Sequence, residues 1–185
     1  MMLEGALINE MKAVFSKDEK RVRHALRVTQ YAKQLLEEEE GKGEVVIPAA
    51  ILHDIGIHEA EEKYGGSAGP HQEKEGPPIA RNIMKKLGID ESIIEEVCSI
   101  VGNHHSPGKI DTLNFKILYD ADWLVNLSDE YNCQNKEKLS RIIEKIFLTD
   151  TGKKMAKKIY LDDNFQTRPD NCFVEGERRQ KESNP

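Results

Sequence analysis

This chain is poor in several features that would point to other protein classes. It has three cysteines, Cys98, Cys133 and Cys172, widely spaced and odd in number. They form no CxxC pair, which excludes a disulfide framework or a cysteine zinc site and reads as free thiols in a reducing cytoplasm. No apolar run approaches membrane-spanning length. The N-terminal stretch Met1 to Asn9 has neither a basic flank nor a long apolar core, so a secretory signal is not expected. No useful alternation of apolar and polar residues marks a strand. There is no Gly-x-x-x-x-Gly-Lys phosphate loop, and no Ser/His/Asp or Cys/His grouping stands out as a nucleophile. The net charge of −6 argues against a nucleic-acid polymer as partner. It leaves room for a phosphorylated small molecule, because a bound metal can dominate the local field.

What is present is helical periodicity. Apolar residues recur at helical spacing in Leu3, Leu7, Met11 and Val14, and again in Val28, Tyr31, Leu35 and Leu36. The second helix is expected over about 19–40, capped by Ser16 or Asp18 and stopped near Gly41 and Gly43. A third covers about 45–55, with Gly56 at its stop. Residues 57–70 read as a loop, punctuated by Gly65-Gly66-Ser67 and Gly69-Pro70. Further helices are expected over about 73–87, with Pro77-Pro78 delaying the start, then 91–104, 113–130, 135–148 and 150–162. Asp90 and Thr149 are placed as N-caps. The fold class is therefore all-α, with about seven to eight helices. Residues 1–163 are expected to form one domain. Residues 164–185 are expected to be a polar, partly disordered tail in which Phe165 and Phe173 can dock.

The chemistry concentrates at His53-Asp54. The doublet lies in Ala49-Ala50-Ile51-Leu52-His53-Asp54-Ile55-Gly56, where the other six residues are small or apolar. An imidazole and a carboxylate are costly to bury there without a partner. A metal ion accepts both as ligands. His24 lies upstream, and His71, His104, His105, Asp120 and Asp122 lie downstream. Asp122 sits in an apolar helical stretch, Ile117 to Leu124, so helices can deliver His24, His53-Asp54 and Asp122 to one bundle core.

His24, then His53-Asp54 in Leu-His-Asp-Ile-Gly, then Asp122 in Ala-Asp-Trp-Leu resembles the H…HD…D signature of the HD superfamily of metal-dependent phosphohydrolases. The likeness spans roughly residues 20–130, and Phe147 to Ala156 is similar to the C-terminal helix entry of small stand-alone members. The resemblance implies an HD-like helical bundle with a metal site in its core, held by His24, His53, Asp54 and Asp122. Asp120 is then a supporting residue or a cap. Some branches hold a second metal through a later His and a His-His pair, for which His71, His104 and His105 are the candidates, as second-metal ligands or phosphate contacts. Here the chain departs from the pattern. Gln72, not His71, stands four residues before Gly76, and Ile57 occupies the place where several branches carry Lys. His58 and Lys63 are expected at the surface, and Trp123 is expected to pack in the core.

The resulting expectation is a cytoplasmic phosphohydrolase acting on a small phosphorylated substrate of nucleotide type. Its cofactor would be a divalent transition metal (Mn, Fe, Co, Ni or Zn), with one ion favoured over two. Asp54 is the catalytic candidate, both ligand and orienter of a metal-activated water. Arg27, one turn past His24, is a candidate substrate phosphate contact. The alternatives are an HD-type di-iron oxygenase, which needs the full second His set, and a non-catalytic metal-stapled module sensing a nucleotide or partner.

Overall fold

A computed structural model of the chain describes residues 2–131 and 135–162. Among the described residues there are nine helices and no strands: α1 (Met2–Phe15), α2 (Glu19–Leu36), α3 (Gly43–Leu52), α4 (Ile57–Tyr64), α5 (Gly69–Lys86), α6 (Glu91–Val101), α7 (Leu113–Glu130), α8 (Lys136–Ile146) and α9 (Asp150–Tyr160). The all-α expectation holds. Cys133, Cys172, Phe165, Phe173 and the proposed tail lie outside the described residues.

α3 is the hub. Its residues Val45, Val46, Ala49, Ala50, Ile51 and Leu52 are all buried, because the helix packs against α1, α2, α6 and α7 and has almost no solvent face. α2 is amphipathic and lays Ala25, Val28, Ala32 and Leu35 into the same core. α7 adds Phe115, Ile117, Leu118, Ala121 and Leu124. Each fully buried side chain of the larger kind adds about 1.5–3 kcal/mol of burial free energy. This apolar frame gives the few polar groups inside it fixed positions.

The ends of the helices follow local chemistry. Asp18 caps α2 by accepting from the Arg21 N–H (3.2 Å), and Thr149 caps α9 by accepting from the Gly152 N–H (2.9 Å). Asp90 occupies the N-cap of α6 but makes no side-chain cap bond. α2 stops at Leu36, before the charged run of Glu37 to Glu40 that the sequence reading included.

The segment 57–70 is not a loop throughout. Ile57 and Ala60, one turn apart, are buried and anchor α4, which ends at Gly65 in the left-handed conformation (φ 73°). α5 begins at Gly69 with Pro70 in its first turn, where a missing N–H costs nothing. Pro77 and Pro78 therefore lie inside α5 and do not delay it. Its early start brings Gln72 and Glu73 beside the turn that follows α6.

One close approach sets this geometry. A Cβ on Gly56 would lie 2.5 Å from the Gly76 nitrogen and 2.8 Å from the Gln72 carbonyl oxygen. Only a residue without a side chain lets the turn after α3 meet α5 backbone to backbone.

Candidate metal centre

His53 is the C-cap of α3, at the helix end where carbonyls lack intrahelical partners. Its ring is 1% exposed. The Nδ1 lies 2.9 Å from the Ala50 carbonyl. A carbonyl only accepts, so Nδ1 carries the proton and donates it. In the neutral ring Nε2 then carries the free lone pair, and it faces His24, Asp54 and Asp122.

Around that atom the sequence-predicted ligands converge. His24 Nε2, from α2, is 3.2 Å from His53 Nε2. Asp54 Oδ2 is 3.4 Å from His53 Nε2 and 3.6 Å from His24 Nε2. Asp122 Oδ1, from α7, is 3.0 Å from His24 Nε2 and 3.6 Å from His53 Nε2. Helices α2 and α7 and the end of α3 thus bring four side chains together, of which His24, His53 and Asp54 share the mutual spacing of metal ligands.

His104 follows α6 and repeats the device of His53. It is 3% exposed, donates Nδ1–H to the Val101 carbonyl (2.7 Å), and turns Nε2 towards Asp54 Oδ1 at 3.5 Å. That Nε2 is buried with no hydrogen-bond partner. His105 joins Asp54 and His104 in a second group with the mutual spacing of metal ligands, while His24, His53 and Asp54 form the first. Asp54 belongs to both.

The second group is held by α5. Glu73 accepts from the His105 backbone N–H (3.0 Å) and the Ser106 hydroxyl (3.0 Å). The Gln72 amide donates to the Ser67 carbonyl (2.5 Å), which leaves its Oε1 3.4 Å from His105 Nε2. Gln72, a departure from pattern in the sequence, is thus a neighbour of the second group.

The other candidates fall elsewhere. His71 stacks on Tyr64 (centroids 4.1 Å apart) with a buried, unpartnered Nδ1, and belongs to neither ligand group. Arg27 has a buried Nη2 without a hydrogen-bond partner and lies beside the Tyr31 hydroxyl. His58 Nε2 faces Asp18 (3.3 Å). Lys63 bridges Glu59 and Glu75. Trp123 packs against the core between Tyr119 and Tyr131. Asp120 is fully buried but turned away from the ligands. It accepts from the Leu148 N–H, the Thr149 N–H and the Thr149 hydroxyl (2.8, 2.8 and 2.7 Å).

Sequence reasoning missed Asn126. Its Nδ2 donates to Asp122 Oδ1 at 2.9 Å. The i,i+4 spacing on one helix was the available signal.

The electrostatics are those of a site built for a cation. Burial pulls the His53 imidazole down, but Asp54, Asp122 and the Ala50 carbonyl outweigh it and raise it to about 9. Burial pushes Asp54 up, yet His53 and His104 hold its carboxyl well below the usual range. Asp122 is likewise lowered against its burial, by His24 and His53. His105 is lowered, by burial first and then by His104. Two Nε2 atoms 3.2 Å apart and an orphaned third, all directed at shared carboxylates, fit a divalent metal. The borderline nitrogen and carboxylate set suits a first-row transition ion.

Comparison with known proteins places this geometry. The HD domain family matches residues 21–127, which contain all four predicted ligands. The chain belongs to the HD domain family. It is also similar to a solved structure described as a predicted HD superfamily hydrolase from an uncultured Thermotogales bacterium. The two are 28% identical with a TM-score of 0.62, over 84% of this chain and 83% of that one. No curated protein is significantly similar to the chain.

Proposed function

We propose that this protein is a metal-dependent hydrolase that cleaves a phosphoester of a small molecule, with a nucleotide as the substrate type. The observation that carries the reading is Asp54, a carboxylate shared between His24/His53 on one side and His104/His105 on the other. The similarity to a predicted HD superfamily hydrolase supports the reaction class. No helix among the described residues is long and apolar enough to cross a membrane.

His24, His53, Asp54 and Asp122 would hold the ion. When bound, such a metal supplies a water of pKa near about 7 and polarises a phosphoryl oxygen. Asp54 is held ionised by its two imidazole neighbours, so it would orient the attacking water by accepting a hydrogen bond from it. His53 contributes position, because its Nδ1–H is committed to Ala50. His104 and His105 share Asp54 with that set, where they can hold a second ion or a phosphoryl oxygen.

The test is phosphate release from a panel of nucleotides and simple mono- and diesters, with Mn, Co, Ni, Fe or Zn supplied. Wild type should turn over at least one member, and Asp54→Ala should lose on the order of 100-fold or more. Failure of wild type on the whole panel with every metal would overturn the reading. The second group also favours a second reading, oxygen chemistry at two irons. Oxygen uptake by the iron-loaded protein without phosphate release would select it.

A further inference from the structure

We propose that Asn126 is a positioning residue for the metal centre, fixing Asp122 in the orientation that ligation needs. The proposal rests on the metal reading above. Asp122 Oδ1 carries two relationships at once. It lies 3.0 Å from His24 Nε2 and accepts the Asn126 amide at 2.9 Å. A carboxylate oxygen has two acceptor sites. Asn126 takes one and leaves the other facing the imidazole pair.

Geometry makes this a constraint on the ligand. Asn126 is one turn beyond Asp122 on α7, where i and i+4 side chains meet. Without it, only the imidazoles that share the ion would steady the Asp122 carboxylate, whose terminal torsion is broad and two-fold. With it, one rotamer is tied to the helix that carries it. The chemistry of the donor also matters. Lys or Arg at this position would neutralise Asp122 and repel a cation, whereas an amide orients the carboxylate and keeps its full charge. Outer partners of this kind typically set 10–100-fold of metal affinity.

The experiment measures metal affinity by chelator competition with Co and Zn on the full chain, alongside the melting temperature of the metal-free protein. Asn126→Leu keeps the volume and removes the donor, Asn126→Ala removes both, and Asn126→Gln keeps an amide. The Leu and Ala variants should bind about 10–100-fold more weakly, while the metal-free melting temperature falls alike in both by only the few degrees that one lost hydrogen bond costs. Gln should recover part of the loss. Wild-type affinity in both Leu and Ala variants, a Gln variant as weak as Ala, or a metal-free melting point that falls in step with affinity would each overturn the proposal. If wild type itself takes up neither metal, the metal reading falls as well, and that result is distinct from the others.

Discussion

His53 and His104, packed edge to face with ring centroids 5.4 Å apart, meet Asp54 by the same device. Each stands just past a helix end and donates Nδ1–H to the carbonyl three residues earlier, Ala50 at 2.9 Å and Val101 at 2.7 Å. Each then presents Nε2 to a different oxygen of Asp54, at 3.4 and 3.5 Å. Helix termini leave carbonyls unpaired, and here that shortage locks the tautomers of two imidazoles. The rings are oriented before any ligand arrives, which lowers the entropy cost of binding one.

Metal uptake should release protons. His53 is raised to about 9 in the metal-free protein, so an ion that takes Nε2 must displace a proton from it. Below pH 9 the apparent affinity should therefore rise about tenfold per pH unit. Calorimetric titration in buffers of different ionisation enthalpy should find about one proton released per ion at pH 7. A pH-independent affinity between 6.5 and 8.5 would show that no proton leaves His53 when the ion binds.

The same group predicts the pH dependence of metal-free stability. The folded pKa of about 9 exceeds the ordinary 6.5. Its stabilisation is fully present below pH 6.5 and disappears as pH rises through 9, an effect on the order of 3 kcal/mol. Asp54 and Asp122 are lowered, so their contribution is present above pH 3.8 and fades as pH falls below it. Metal-free protein should melt highest between about pH 4 and 6.5, and metal should move that optimum upwards. Thermal scans with and without chelator across pH 4–9 check both signs.

The two histidines should differ in their hold on metal. His53→Ala removes a ligand of the first group and should leave about no tightly bound ion. His104→Ala removes a member of the second group alone and should leave the ion of the first group in place. Metal analysis of the two purified variants settles the difference, and loss of all metal in His104→Ala would mean the two groups act as a single site.

The candidate ligands were readable because they are polar residues stranded in apolar helices, and such residues need a reason to be there. His24, His53, Asp54 and Asp122 met that test and converge. The remainder depended on contacts that leave little trace along the chain. α4 was hidden because its buried face is only Ile57 and Ala60, set in charged residues and followed by Gly65-Gly66. The true start of α5 was obscured by Pro77-Pro78, a local signal overridden by packing on α4 and α6. His71 and Gln72 are adjacent in sequence, yet one stacks on Tyr64 and the other faces His105. Asn126 is an ordinary helical Asn until Asp122 is known to be its partner.

Gly56 should tolerate no side chain. A Cβ there meets the Gly76 nitrogen at 2.5 Å and the Gln72 carbonyl at 2.8 Å, both backbone atoms that cannot rotate aside. Gly56→Ala should therefore push α5 away from the turn after α3, at a cost of about 1–3 kcal/mol. Because Gln72 and Glu73 support the second ligand group, Gly56→Ala should also weaken that group. Denaturant unfolding and metal titration of this variant should both shift.

Asp120 should matter for stability and not for metal. It lies two residues from Asp122 on α7, but its oxygens take the Leu148 N–H, the Thr149 N–H and the Thr149 hydroxyl. It thereby fastens the entry of α9 to α7, through the same Thr149 that caps α9. Burial pushes its carboxyl up to about 6 against those three donors, so the group is costly to charge and is kept by its bonds. Asp120→Asn has nearly the same shape, but its amide nitrogen must face one of the donors. A buried donor left without an acceptor costs about 1–3 kcal/mol, which for a chain of this size lowers the melting temperature by roughly 2–12 °C. Metal affinity should stay within about threefold of wild type, because no ligand contact is lost. Thermal unfolding and chelator competition on Asp120→Asn and Asp122→Asn should give opposite patterns, the first losing stability and the second losing metal. A large loss of metal affinity in Asp120→Asn would show that the α7–α9 junction reaches into the site.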